Sequence, residues 1–197
     1  VMNLKVSLSI VHKDDYGTFN GLFDGFNEVM LKFPGNAMEF IGILSNLDKQ
    51  AAHDSGNEAL AVWQEDFRVV QEKFQAFDFE ASFVEDLGFM NFYALESYVK
   101  RNVVPASAEM MPDLVEFSAE QAAQLLFTAR GIYERWSKSG QTDLALELMP
   151  VEMNSLGATN LFDEKYFADI LGLVNFLDEN IEFWRSPDYV LLYRTLE

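Results

Sequence analysis

The chain of 197 residues sets 14 Lys and Arg against 32 Asp and Glu, a formal charge of −18. Apolar residues make up 49% of it, so it can bury a core and does not read as a disordered acidic tail. With no Cys there is no disulfide framework, thiolate zinc site or cysteine nucleophile, and the charge argues against direct nucleic-acid binding, which needs Lys and Arg for the phosphates.

Val1 ahead of Met2 reads as an expression remnant, with the natural chain expected to start at Met2. Leu4, Val6, Leu8 and Ile10 alternate with Lys5, Ser7 and Ser9, the period of a half-buried strand rather than the unbroken apolar run of a secretory signal. His12 to Gly17 is polar and turn-like. From Asn20 to Phe33 the apolar residues fall at helical spacing, and Pro34-Gly35-Asn36 stops that helix. Met38 to Leu47 suits a strand or a short helix, and Asp54 to Asn57 a capping loop. Leu60, Trp63, Phe67, Val70, Phe74 and Phe77 form a helical stripe.

Phe89 to Val103 predicts another helix, and residues 105–117, with Pro105 and Pro112, a connector. Ser118 and Gln121 have the spacing of a capping box. The helix they start turns Ala122, Leu125, Ala129, Ile132 and Trp136 inward and ends near Gly140. Arg130, Glu134 and Lys138 on its outer face predict i,i+4 ion pairs. After an irregular stretch from Pro150 to Asn160, one long helix is expected from about Asp163 to Trp184, broken by Ser186-Pro187. Tyr189 to Leu196 predicts a closing strand.

No window approaches the ~18 uninterrupted apolar residues of a membrane span, and the expectation is a soluble, cytoplasmic protein without membrane association. Residues 1–86 carry 15 acids and 6 bases, residues 87–197 carry 17 and 8, so each part is −9 and composition offers no place to divide the chain. The expected fold is α+β: a mainly helical single domain, residues 1–197, with a small sheet from the N- and C-terminal strands.

Residues from about 86 to 197 resemble a group of uncharacterised phage and prophage proteins. Leu148-Met149-Pro150, Leu156-Gly157-Ala158-Thr159, the helix start Phe162-Asp163-Glu164-Lys165-Tyr166-Phe167 and the strand from Tyr189 to Thr195 carry the resemblance. Gly88-Phe89-Met90-Asn91-Phe92 lacks the Arg-Lys pair of that group's first helix. The resemblance implies a phage or mobile-element setting and no particular chemistry.

His12, the pair His53-Asp54 and a later acid such as Asp66 supply the residue types of a metal-dependent phosphohydrolase, in which imidazoles and carboxylates would sharpen a bound water. Their spacing does not suit it, since His12 follows a strand and His53 falls in a loop; two surface histidines beside acids are the plainer account. No nucleophile elbow, phosphate-binding glycine loop or calcium loop is present, and no cofactor, metal site or catalytic residue is assigned. Phe77, Phe79, Phe83 and Phe89 are interleaved with Asp78, Glu80, Glu85 and Asp86, which suits either a protein-binding edge or a strand with one face buried.

The charge is the strongest functional signal. Glu58, Glu65, Asp66 and Glu72 share one helix; Asp169, Asp178, Glu179 and Glu182 share another. Carboxylates at i,i+3 and i,i+4 lie roughly 5–6 Å apart, close enough to imitate a row of phosphates. The expectation is a non-enzymatic interaction protein that binds a basic protein partner through these acids and Asp78, Glu80, Glu85 and Asp86, as a phage-type inhibitor of a nucleic-acid-handling or defence protein would. The alternatives are the metal-dependent hydrolase and a self-associating adaptor using apolar surface at Phe79 or the last strand. The bland account is that the acids only keep the surface hydrated.

Overall fold

The computed structural model describes residues 3–36, 38, 41, 58–149 and 162–196. The alternation after Leu4 becomes strand β1, Lys5–His12, buried from Val6 to Val11. It is central in a four-stranded antiparallel sheet of order β2-β1-β4-β3, where β2 is Phe83–Met90, β3 Leu114–Phe117 and β4 Tyr189–Leu196. The sheet of an α+β fold therefore does join the first and last strands, with Leu8 opposite Tyr193 and Ile10 opposite Leu191. The contacts of the chain gather into two units, Val1–Lys13 with Phe83–Glu197, and Asp14–Ser82.

In the first unit Val6, Leu8, Ile10, Val115, Leu191 and Tyr193 face a core closed by helices. Helix α3, Tyr93–Asn102, contributes Leu95 and Val99; α4, Ala119–Ser139, contributes Leu125, Ala129 and Ile132; α5, Glu164–Glu179, contributes Phe167, Ile170, Leu173 and Leu177. Trp136 stacks on Phe167 with centroids 4.1 Å apart and planes 5° from parallel. The α4 cap forms as its spacing requires: Gln121 N–H donates to Ser118 Oγ at 3.1 Å, and the Gln121 side chain accepts from Ser118 N–H at 2.9 Å. Gly140 ends the helix at φ 69°, where a side chain would be strained.

The other face of β1 carries Ser7 and Ser9, both fully buried. These short side chains open a lane for Arg194, which stands opposite Ser7 on β4. Its Nε donates to Ser9 Oγ at 3.1 Å, Ser9 Oγ donates to Asp86 Oδ1 at 2.5 Å, and its guanidinium lies 4.4 Å from the centroid of Phe83.

The second unit pairs α1, Lys13–Leu31, with α2, Glu58–Ala76. Lys13 itself belongs to the first unit. Ring contacts run from Phe33–Trp63 at one end to Phe19–Phe74 at the other, so the helices lie antiparallel. Trp63 and Phe67 are buried, packed by Phe26, Val29, Met30, Phe33 and Leu60.

Several elements differ from expectation. Residues 13–17 are helical: Asp14 and Asp15 occupy the first turn, where carboxylates favour the helix dipole, and Tyr16 and Phe19 stack on Phe79. Phe89 and Met90 finish β2 instead of starting a helix, because Asn91 turns the chain at φ 56° and accepts from Leu4 N–H at 2.9 Å through its side chain. The expected connector contains β3. The long C-terminal helix divides at Asn180, whose side chain donates to the Phe176 carbonyl at 2.8 Å; α6, Ile181–Arg185, follows. The Trp184 indole N–H takes the Leu177 carbonyl at 2.7 Å. The stretches assigned to 42–47, 54–57 and 150–160 lie outside the described residues.

Candidate acidic interaction surface

Helix α2 carries Glu58, Glu65, Asp66 and Glu72 as exposed side chains. They do not form an unbroken row. Arg68 donates to Glu65 and to Glu72, with Nη1 to Glu72 Oε1 at 2.6 Å, and its hydrogen bond holds the Glu65 carboxyl below the usual range. Glu58 and Asp66 make no ion pair among the described residues. Just beyond the helix, Asp78 accepts the Ala81 N–H at 3.1 Å, and Glu80 stands exposed in a 3-10 turn.

The C-terminal set is similarly divided. Lys165 takes Asp169 at 2.6 Å, and Arg130 of α4 reaches Asp178 at 2.7 Å. The latter replaces the predicted Arg130–Glu134 pair, because packing α4 beside α5 brings the guanidinium to a carboxylate 48 residues away. Lys138 likewise makes no ion pair with Glu134 among the described residues. Glu179 and Glu182 are exposed and unpaired among the described residues. On β2, an edge strand, Glu85 is exposed, while Asp86 is half exposed and tied to Ser9 and Arg194. Among the described residues, cations thus bridge Glu65, Glu72, Asp86, Asp169 and Asp178, while Glu58, Asp66, Glu179 and Glu182 make no ion pair, a distinction that pairing across the fold makes and residue spacing does not.

Charge density does separate the two units. Asp14–Ser82 contains 13 carboxylates and 4 cations, and the remainder 19 and 10, so each is −9, over 69 residues in one and 128 in the other. The even division by sequence hid this, because residues 1–86 include β1 and part of β2. Asp14, Asp15, Asp24 and Glu28 on α1 also belong to the denser unit; extending the helix back to Lys13 adds Asp14 and Asp15, while Asp24 and Glu28 already lie within the helix expected from Asn20 to Phe33.

Among the described residues no other constellation comes together. His12 packs edge-on to Tyr189 at 5.3 Å, while His53 and Asp54 lie outside the described residues. No group of three or more His, Asp or Glu suited to a metal occurs among the described residues. Phe79 stacks on Phe19 at 4.1 Å, and β4 is paired on both edges, by β1 and β3. No helix among the described residues is long and apolar enough to cross a membrane. No protein-family model, curated protein or solved structure matches the chain.

Proposed function

We propose that the protein is a non-catalytic interaction protein whose Asp14–Ser82 unit engages a basic protein partner. The observation that carries this reading is the concentration of −9 over the 69 residues of Asp14–Ser82, nearly twice the density of the rest. A field of that sign speeds encounter with basic surfaces and repels nucleic acid. The resemblance of residues 86–197 to phage proteins supports a setting in which the partner is a nucleic-acid-handling or defence protein of the host, met in the cytoplasm, and the effect is inhibition by occupying its basic groove. The bridging of Glu65 and Glu72 by Arg68 favours discrete acidic contacts over a continuous imitation of a phosphate backbone.

The test is retention of host proteins on the immobilised chain at low and high salt, with duplex DNA as competitor. The expected result is a basic nucleic-acid-binding protein retained at low salt, released by salt and displaced by DNA. Retention of no basic protein at low salt overturns the reading.

A further inference from the structure

We propose that a groove on the Asp14–Ser82 unit docks an extended segment of the basic partner in which two cationic side chains flank one apolar side chain at alternate positions. The inference rests on the function proposed above. Glu58, Val62 and Asp66 are four residues apart in succession, so they share one face of α2. Pro34, Ala59 and Trp63 complete an open groove of about 380 Å3 between the carboxylates. That is near the lower end of ligand-site sizes and suits one or two side chains better than a cofactor.

The floor of this groove is fixed, because the Trp63 indole N–H donates to the Val29 carbonyl at 2.7 Å and Phe33 packs edge-on to the ring at 4.8 Å. Val62 is 62% exposed, an apolar contact left to solvent between two acids. Lys32, the one cation at the rim among the described residues, turns to Glu28 at 3.2 Å and bridges neither Glu58 nor Asp66. Eight helical residues span ~12 Å. An extended chain puts positions i, i+2 and i+4 on one face, and four residues of it span ~13 Å. Cation, apolar residue and cation at those positions therefore meet Glu58, Val62 and Asp66 in order. A second copy of this chain would bring like charge to the groove and is disfavoured.

The probe is the peptide acetyl-GKALAKG-amide, titrated into the isotope-labelled full chain and followed by amide and indole NMR shifts. The same-composition peptide acetyl-GLAKKAG-amide is the control. The expected result is shifts centred on residues 58–66 and the Trp63 indole, with at least threefold preference over the control. The paired change Glu58→Gln with Asp66→Asn, and separately Val62→Ser, should each weaken binding at least threefold in chains with unchanged circular dichroism. Equal affinity for the two peptides, or shifts spread over acids elsewhere, overturns the groove. A basic partner still retained on the immobilised chain would then leave the broader function standing, so the two failures are distinguishable.

Discussion

Two buried phenols of the first unit differ by one hydrogen bond. Tyr166 donates its hydroxyl to the Leu148 carbonyl at 2.7 Å, whereas the buried Tyr193 hydroxyl makes no hydrogen bond among the described residues. Removing a hydroxyl that leaves a buried carbonyl unpaired costs its partner's desolvation; removing an already unpaired one does not. Tyr166→Phe should therefore destabilise by about 1–2 kcal/mol and Tyr193→Phe should be neutral or stabilising by up to about 1 kcal/mol. Urea midpoints at constant slope decide it, and an equal loss in both variants refutes the account. Arg194 supports a second comparison. It is 11% exposed and holds Ser9, whereas Asp86, 46% exposed, meets it at 3.5 Å. Arg194→Met should cost about 2 kcal/mol, the scale of a buried hydrogen bond to a charged group. Asp86→Asn should cost under about 1 kcal/mol, as for a solvent-screened ion pair. Reversal of that order would show that the carboxylate, not the serine lane, fixes the guanidinium.

At the scale of elements, α1 and α4 contrast in how locally they are specified. Helix α4 has its capping box and a left-handed Gly140, and Ser118→Ala should lower stability by about 1 kcal/mol in thermal or urea unfolding. Helix α1 has no buried residue and holds Gly17, Gly21 and Gly25, above which an added Cβ would meet nothing. Gly21→Ala should stabilise by about 0.5–1 kcal/mol, read as slower hydrogen exchange along α1; a loss would mean that the face is not open. The same contrast explains what was legible in the sequence. The alternation of β1, the Ser118–Gln121 pair and the stripe from Leu60 to Phe74 are local signals, and they form where the spacing puts them. The start of α1 depends on Phe79, some sixty residues on, and β3 on its pairing with β4, which no window of residues contains. The division at Asn180 turns on a side-chain bond that helical periodicity passes over. The identities of the acids were legible for the same reason as the strand. Which of them are bridged was not, since Arg130 meets Asp178 only once α4 packs beside α5.

Across the whole molecule the excess of acid and the buried phenols make alkali the informative perturbation. Burial raises the pKa of both Tyr166 and Tyr193, and for Tyr193 the Glu96 carboxylate adds to the effect. In the unfolded chain both titrate near the ordinary value of about 10. Above that pH the unfolded state gives up protons that the folded state keeps, so the folded state binds more protons and stability falls as pH rises. Below about pH 9 both states are protonated and these groups leave stability flat. Above about 10, each contributes a loss of up to about 1.4 kcal/mol per pH unit, continuing until its folded-state pKa is passed. Phenolate absorbance near 295 nm, followed with circular dichroism, should show part of the seven-tyrosine signal appearing only as the fold is lost. In Tyr193→Phe the decline with pH should be shallower by one such contribution. If all seven tyrosines ionise near pH 10 while the circular dichroism stays native, burial does not protect these phenols, and the packing of Tyr193 between Leu8 and Val115 in the sheet register is wrong.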